Sequence, residues 1–569
     1  MILLGLLVSI ISNLVFAEDN PLVCLDSGTC YKGGWSSTSS GIQYANFQGI
    51  RFAKAPTGNL RFRPPQKLDD ENLGTLDVST ESKVACLQAY SNGPLGQEDC
   101  LLLNVYIPEK IYNDQSDQKY PVMFWIYGGG FAVGDATFFT YGPQPFMDKD
   151  VIIVTANYRL GAFGFLSLGI NEAEGNAGLL DQNLALQWVQ KYVGQFKGDP
   201  NMVTIFGESA GSLSVALQIV SPMSKGLFQR AILQSGVVLA PTWHFIPTEE
   251  ATFYGTSMAT LLNCTSEEDY LECLQSKDPN AILQAEPSVY GLSSRVSIWM
   301  PTIDSAFLPE RPIDILEKGD FDHDLQVIVG SNAADGLLFI NNSTDFQGFR
   351  ENFDTVAPAF IYYKNQSEVT QEDSSKAKKT VEHYIGSINN YNFDHINQLI
   401  DLYTDGFCLY GNYKFSDYLM NQGVTVYQYI LSYVGSHSFS ITEGTGVIGA
   451  NHGDDCLYLW TYQNTPMDSD DVTVSNIMTK VWTDFATYGD PTPPGSDFSW
   501  TPLKNISNFN FWNISGPNPA MEHSDSIQER MELWQSTLED DKSTAMSNQP
   551  NLEIFLLLLF ALSNQINIW

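Results

Sequence analysis

The chain of 569 residues is 43% hydrophobic and 12% aromatic, which is the composition of a large, well-packed globular protein rather than a disordered or collagen-like one. Its net charge is −36, and a surface of this sign repels phosphate backbones. We therefore expect no nucleic-acid partner.

The first predicted element is an apolar N-terminal segment. Residues 1–17 read MILLGLLVSIISNLVFA, with Val15 and Ala17 at the small-residue positions before an acidic stretch. This order is typical of a secretory signal peptide cleaved near Ala17, and the segment is short for a retained membrane span. We predict a secreted, extracellular protein. Six N-glycosylation sequons support the same compartment, and they begin at Asn263, Asn341, Asn342, Asn365, Asn505 and Asn513.

Eight cysteines in a secreted chain indicate a disulfide framework. Cys24 and Cys30 flank a turn signal and could face each other across a hairpin. Spacing alone would let Cys86 with Cys100, and Cys264 with Cys273, each close a short loop. Cys408 and Cys456 are left as a long-range pair or as two thiols. A zinc site is disfavoured because no CxxC pair with nearby histidines is present.

From residue 120 onward, apolar runs alternate with segments of helical periodicity. Continuous apolar runs predict strands of a central sheet that is covered on both faces. Helices are predicted over Leu179–Phe196, which Gly198-Asp199-Pro200 ends, and over Ile477–Tyr488. No repeat or linker interrupts the pattern, so we predict a single α/β domain over residues 18–540. The predicted strands are Val122–Tyr127, Val151–Asn157, Val203–Phe206, Gln326–Gly330 and Val424–Leu431.

The last segment, residues 541–569, has small residues, a polar spacer and the apolar run Ile554–Leu562. This order is typical of a signal for a glycolipid (GPI) anchor, which would attach the protein to the cell surface. A polar sequence follows the apolar run, so an unanchored tail is the alternative.

The motif Gly207-Glu208-Ser209-Ala210-Gly211 lies directly after the strand Val203–Phe206 and before a sequence that favours a helix. The strand, tight turn and helix are the context of a nucleophile elbow, in which small residues surround a strained serine. A serine hydroxyl needs a base and an orienting acid to act as a nucleophile at neutral pH. The motif therefore predicts Ser209 as the nucleophile of an acyl transfer.

The base and the acid are expected downstream, in the chain order Ser, Asp or Glu, His. Among the seven histidines, His452 stands out because it lies in a polar, glycine-flanked loop after the strand Val424–Leu431. Asp335 follows the strand Gln326–Gly330 in the same way. The strand Val122–Tyr127 runs into Gly128-Gly129-Gly130, where glycines permit the close backbone approach that an oxyanion hole requires.

At these residues the sequence resembles the type-B carboxylesterase/cholinesterase family of α/β-hydrolases. The resemblance covers roughly residues 23–520 and extends beyond the elbow. It includes the segments Glu98–Tyr106, Tyr127–Phe131, Asn157–Gly161, Gly175–Gln182 and Gln234–Gly236.

The resemblance implies an α/β-hydrolase fold with a large, mostly parallel sheet. It implies Ser209 as nucleophile, Asp335 as acid and His452 as base, with an oxyanion hole from the N–H groups of Gly129, Gly130 and Ala210. It also implies the disulfides Cys86–Cys100 and Cys264–Cys273. An enzyme of this kind needs no metal and no cofactor.

Three departures from the family pattern bear on specificity. Many members have glutamate where Asp335 stands. In cholinesterases the loop closed by the first disulfide is long and supplies a tryptophan for the choline cation, whereas the loop here is short and has no tryptophan. Before Pro301, the chain has Arg295, Ser297, Ile298 and Trp299 where cholinesterases crowd the acyl pocket with aromatic residues. We therefore expect a roomier acyl pocket and no preference for choline esters.

The sequence thus predicts a secreted serine carboxylesterase that hydrolyses small-molecule esters through an acyl-enzyme. Two alternatives remain open. One is a catalytically silent adhesion or binding protein on the same fold, and the other is a lipase that acts on acylglycerols. The sequence predicts no oligomeric state.

Overall fold

The computed structural model of the chain describes residues 20–90, 93–241, 245–291, 297–340, 344–362, 369–439, 447–461 and 467–538. The predicted signal segment and the tail at 541–569 lie outside these residues. Within the described ranges, no helix is long and apolar enough to cross a membrane.

The strands are short at the N-terminus and longer in the centre of the chain. They are β1 (Leu22–Cys24), β2 (Cys30–Lys32), β3 (Gly34–Ser37), β4 (Gln43–Arg51), β5 (Thr75–Asp77), β6 (Gln88–Tyr90), β7 (Gly93–Leu95), β8 (Leu102–Pro108), β9 (Tyr120–Ile126), β10 (Ile152–Ala156), β11 (Gly198–Glu208), β12 (Arg230–Gln234), β13 (Gln326–Asn332), β14 (Thr425–Leu431), β15 (Asn510–Ile514) and β16 (Ala520–His523).

The helices cover both faces of the sheet and fill the long connections. They are α1 (Glu109–Tyr112), α2 (Gly161–Phe165), α3 (Ala177–Tyr192), α4 (Ala210–Val220), α5 (Thr248–Leu261), α6 (Tyr270–Ser276), α7 (Pro279–Tyr290), α8 (Pro312–Lys318), α9 (Phe346–Glu351), α10 (Phe353–Ile361), α11 (Gln371–Ile385), α12 (Ile396–Thr404), α13 (Tyr410–Asn421), α14 (Cys456–Leu459), α15 (Ser469–Tyr488) and α16 (Asp525–Leu538). A π-helix spans Asp405–Leu409 between α12 and α13.

An eleven-stranded sheet organises the described part of the chain, in the order β16-β15-β14-β13-β12-β11-β9-β10-β8-β4-β3. The seven strands from β15 to β10 are parallel to their neighbours, and antiparallel strands complete both edges. The carboxyl ends of parallel strands meet at one edge of a sheet, where ligands of α/β proteins bind. The structure confirms the predicted α/β fold with a large, mostly parallel sheet.

The five predicted strands correspond to β9, β10, β11, β13 and β14. Strand β11 begins five residues before the predicted start at Val203, with a register shift between Gly198 and Val203 against β9. A Gly-Asp-Pro sequence reads as a turn, and its proline has no N–H to donate, so the irregular start of this strand carries no apolar signal.

Both predicted helices are present with different bounds. Helix α3 runs over Ala177–Tyr192, and its last predicted turn is a 3₁₀ segment, Val193–Phe196. Helix α15 begins at Ser469, two turns before the predicted Ile477, behind a capping box of Asp468 and Asp471. Its first turn is polar, and its buried apolar face begins only at Val474, so the capping signal alone marks this start.

The cysteines form three disulfides: Cys24–Cys30, Cys86–Cys100 and Cys264–Cys273. The first bridges β1 and β2, where the two residues are register partners, and the other two are those implied by the family resemblance. Cys408 and Cys456 are two buried free thiols rather than a pair.

The sequon asparagines differ in exposure. Asn263 and Asn505 are exposed. Asn513 lies half-buried in β15, and the Ser432 hydroxyl donates a hydrogen bond of 2.6 Å to its Oδ1. The sequons at Asn341, Asn342 and Asn365 lie outside the described residues. Exposure suits glycosylation best at Asn263 and Asn505.

Helix α7 carries a buried carboxyl group on the face that packs against α2. Glu286 Oε1 accepts a hydrogen bond of 2.9 Å from the Ala162 N–H at the start of α2. Burial raises the pKa of Glu286 to about 7, although this hydrogen bond acts in the opposite direction. The folded state therefore holds a proton on Glu286 over a pH range in which the unfolded chain has released it.

This difference predicts a pH-dependent effect of Glu286→Gln. The pKa of Glu286 is higher in the folded state than in the unfolded chain. Its protonation therefore adds to the free energy of unfolding in full below about pH 4.5, and this contribution is lost as the pH rises through 7. The amide keeps an oxygen acceptor and does not ionise. We expect the change in the free energy of unfolding that the substitution causes to be about 2–4 kcal/mol more favourable at pH 8 than at pH 4.5. Thermal unfolding of both proteins at the two pH values measures this, and an equal shift at both would contradict it.

Candidate active site

The predicted elbow lies where β11 ends and α4 begins. Ser209 joins the two elements with φ 57° and ψ −123°, a backbone conformation that non-glycine residues rarely adopt. Its N–H donates a hydrogen bond of 2.9 Å to the carbonyl of Gln234 at the end of β12. A strained serine between a strand and a helix is the arrangement of a nucleophile elbow, and the N-terminal end of α4 favours developing negative charge beside it.

The glycines of the motif permit this turn because, without side chains, they let neighbouring backbone segments come into contact. A Cβ at Gly211 would lie 2.0 Å from the carbonyl oxygen of Ile126 in β9, and one at Gly207 would lie 2.6 Å from the Gly211 carbonyl carbon. Neither distance is compatible with a side chain. The two glycines therefore let α4 pass directly over the end of β9.

The glycine run after β9 lies against the elbow. A Cβ at Gly128 would lie 2.9 Å from Ser209 Cβ and 2.6 Å from Glu208 Oε2. Gly129 and Gly130 have φ values of 104° and 65°, which favour glycine. The glycine run therefore lies directly against Ser209, whose other neighbour is Ala210, the first residue of α4.

His452 lies beside Asp335, and both side chains are buried. Nδ1 of His452 is 2.8 Å from Oδ1 of Asp335. The Asn332 N–H donates to the other carboxylate oxygen at 2.9 Å, so the carboxylate accepts and the imidazole carries its proton on Nδ1. In the neutral form of this imidazole the lone pair is on Nε2, where it can accept a proton, which is what a general base needs.

Two hydrogen bonds hold the loop of His452 against the loop of Asp335. The Ala334 N–H donates to the carbonyl of Ala450 at 2.9 Å, and the Asn332 side-chain amide donates to the carbonyl of Asn451 at 2.6 Å. Asp335 comes shortly after β13, and His452 lies in the loop after the adjacent parallel strand β14. The two hydrogen bonds between the loops therefore hold the two residues side by side.

Glu208, the residue before Ser209, is a neighbour of the histidine that sequence reasoning missed. Its Oε1 lies 3.2 Å from His452 Nε2, and its side chain is fully buried. Burial raises the pKa of Glu208 to about 8. Burial alone would lower the pKa of His452, but the charges of Glu208 and Asp335 outweigh it and raise the pKa to about 9. The position of Glu208 directly before Ser209 in the motif is the sequence signal that could have indicated its place in the site.

The π-helix between α12 and α13 supplies two further neighbours that the sequence did not indicate. The ring of Phe407 packs edge-on against His452, with 5.0 Å between centroids. The Cys408 thiol donates to the carbonyl of Ser235 at 3.3 Å, and its sulfur lies within 4.8 Å of a carboxylate oxygen of Asp335. These residues lie more than 70 positions from Asp335 in the sequence, so no local pattern links them to the site.

With this geometry in view, comparison with known proteins shows the family. A model of the carboxylesterase family matches residues 20–534. The chain belongs to the carboxylesterase family. This result confirms the predicted family and the enzyme class of carboxylic ester hydrolase.

Relatives with related activities match most of this carboxylesterase. A juvenile hormone esterase of Tribolium castaneum is 32% identical over 573 aligned residues, with 92% of this chain and 95% of that protein covered. A carboxylic ester hydrolase of Bombus ignitus is 31% identical over 533 residues, covering 88% and 92%. An acetylcholinesterase of Leptinotarsa decemlineata is 31% identical over 511 residues, covering 82% and 78%.

The short loop that the Cys86–Cys100 disulfide closes is part of the site's framework in this carboxylesterase. Strands β6 and β7 form a small antiparallel hairpin inside the Cys86–Cys100 loop. The Gln88 side chain exchanges two hydrogen bonds, of 2.8 and 2.9 Å, with the backbone of Gly134 beyond the glycine run. The loop therefore braces the segment that follows the glycine run.

The residues before Pro301 are only partly described. Ser297, Ile298 and Trp299 are buried, and Arg295 lies outside the described residues. The expectation of a roomier acyl pocket remains a prediction.

The close packing of α4 on β9 predicts the effect of Gly211→Ala. The added methyl group would collide with the Ile126 carbonyl, so the helix and the strand must separate. We expect a loss of about 1–3 kcal/mol in stability or more, together with loss of esterase activity. Thermal unfolding and ester turnover measure the two effects.

Gly194→Ala is the matched control, because a Cβ there meets no atom within 4 Å and the residue has no positive φ. We expect this control to keep its activity and its melting temperature. Equal melting temperatures for the two variants would contradict the packing argument.

Proposed function

We propose that the protein is a secreted serine carboxylesterase that hydrolyses small-molecule carboxylic esters through an acyl-enzyme. The observation that carries the proposal is the position of His452, with Nδ1 on Asp335 and Nε2 directed toward Glu208, the residue adjacent to Ser209. A base oriented by an acid beside a strained serine is the arrangement that nucleophilic acyl transfer needs.

In the proposed reaction, the Ser209 hydroxyl attacks the ester carbonyl while His452 Nε2 takes its proton. The N–H groups of Gly129, Gly130 and Ala210 stabilise the negative oxygen of the tetrahedral intermediate. His452 then donates the proton to the departing alcohol, which leaves an acyl group on Ser209. Water, activated by the same histidine, hydrolyses this acyl-enzyme and restores the free serine.

The three disulfides support an oxidising compartment, in line with secretion. The short Cys86–Cys100 loop has no tryptophan, which argues against choline esters as preferred substrates. The test esters therefore vary in both the alcohol part and the acyl part. They include juvenile hormone, because one relative is named a juvenile hormone esterase.

Hydrolysis of aryl esters from acetate to long-chain acyl groups tests the proposal, with a choline ester as comparator. We expect the secreted protein to turn over several of these esters and Ser209→Ala to lose turnover by at least about 10⁴-fold. Ser375→Ala is the control, because Ser375 is exposed on α11 and its hydroxyl donates to the Gln371 carbonyl of the same helix.

The chain-length optimum separates a carboxylesterase from a lipase, whose activity would rise at a lipid interface. Absence of turnover by folded wild-type protein would overturn the proposal and favour a catalytically silent binding protein.

The acid is tested by Asp335→Asn and Asp335→Glu. An amide at residue 335 would donate to Nδ1 and favour the wrong tautomer of His452, so we expect kcat to fall by about 10³–10⁴-fold. Glutamate keeps a carboxylate, as many family members do, and we expect it to recover much of this loss. Steady-state kinetics of both variants, with melting temperatures as the control for folding, measure the difference. Equal activity of the two variants would assign the acid to another residue.

A further inference from the structure

The free thiol of Cys408 lies in the candidate active site, although the reaction gives it no role. It belongs to the π-helix Asp405–Leu409, a distortion that is frequent at functional sites, and it is fully buried. Its hydrogen is donated to the Ser235 carbonyl at 3.3 Å, and its sulfur lies within 4.8 Å of a carboxylate oxygen of Asp335.

The thiol completes a set of three metal-binding groups. One ligand atom each from Asp335, Cys408 and His452 lies within 4.8 Å of the other two. The three residues come from separate elements, namely the segment after β13, the π-helix and the loop after β14. Sulfur, imidazole nitrogen and carboxylate oxygen are the ligands that zinc binds, and three protein ligands with one open position form a common zinc site.

Further buried carboxyl groups lie close to the three ligands. Asp455, three residues beyond His452, accepts hydrogen bonds from Gln234 and Tyr429. Glu208 Oε1 also lies 3.2 Å from His452. Burying several carboxyl groups together is costly, and a divalent cation among them would offset that cost.

We propose that Asp335, Cys408 and His452 form a binding site for a thiophilic divalent metal ion, Zn²⁺ or Cd²⁺, and that the bound ion inhibits the esterase. The inhibitory role rests on the proposed function of these residues, whereas the binding site does not.

Metal binding would block the base by moving the proton of the imidazole. The thiol releases its proton to the solvent and forms a sulfur–metal bond, with no change in oxidation state. His452 binds the ion through Nδ1, so its proton moves from Nδ1 to Nε2. Nε2 then carries a hydrogen and cannot accept the proton of Ser209. The hydrogen bond between Nδ1 and Asp335 is lost in the same step.

The test uses the full secreted protein, purified free of metal, with Cys408→Ala and Cys408→Ser as variants. Cys456→Ala is the matched control, because Cys456 is also a buried free thiol but belongs to no such ligand group in the described residues. Binding is followed with Cd²⁺ by the ultraviolet charge-transfer absorption of the cadmium–thiolate bond. Inhibition is followed with Zn²⁺ on an aryl ester, and each variant is normalised to its own metal-free rate.

We expect one Cd²⁺ per chain with thiolate absorption in the wild type and in Cys456→Ala, and no such absorption in either Cys408 variant. Zn²⁺ should inhibit the wild type reversibly, with activity restored by a chelator. Loss of the thiol should raise the half-inhibiting Zn²⁺ concentration at least 10-fold, since losing a group that merely orients a ligand already costs roughly 10–100-fold in metal affinity. Melting temperatures show which Cys408 variant is folded.

Thiolate absorption that persists in the Cys408 variants, or that is absent from the wild type, would overturn the site. Binding without inhibition of an active enzyme would overturn the inhibitory role. Cys408-dependent absorption in a folded protein without ester turnover would instead count against the proposed function and leave the metal site standing. The two failures are therefore distinguishable.

Discussion

The geometry of the candidate site depends on how closely helix α4 approaches strand β9. The backbone of Gly211 lies against the Ile126 carbonyl, with no room for a Cβ. At this distance the chain must reverse from strand to helix within one residue, and Ser209 takes the strained conformation. Strand β11 is hydrogen-bonded to β9 on one side and to β12 on the other, which resists relaxation of the turn. The sheet backbone, rather than side-chain packing, thus positions the serine.

Buried carboxyl groups around His452 are distinguished by the hydrogen bonds they accept. Asp335 faces Nδ1 and accepts from a backbone N–H, whereas Glu208 faces Nε2. Asp454 accepts from the backbone N–H groups of Asn451 and Phe439, each at 2.8 Å, and burial raises its pKa to about 7. Asp455 accepts from Gln234 and Tyr429. The last two therefore hold the loop and its strands in place, and the first two contact the imidazole.

Sequence patterns predicted the parts of the structure that are governed by local order. Parallel strands buried on both faces leave continuous apolar runs, and the elbow combines a strand, small residues and a helix within about 20 positions, so Ser209 was recognisable. The start of β11 at Gly198 and the polar first turn of α15 lack apolar periodicity, so the predicted starts of both elements are too late. The contacts of Cys408 arise from tertiary packing between distant segments, and no spacing in the sequence encodes them.

Tertiary contacts between distant segments also connect helix α16 to the candidate site. Arg530 of α16 donates to the buried Asp405 carboxylate at 2.6 Å, and Asp405 begins the π-helix that carries Phe407 and Cys408. Thr404, one residue earlier, accepts a hydrogen bond of 2.9 Å from the N–H of Gly336, the neighbour of Asp335. Because a buried carboxylate without its partner is strongly unfavourable, the ion pair holds Asp405, the first residue of the π-helix, in place. The packing of Phe407 on His452 thus depends on a helix more than 70 residues further along the chain.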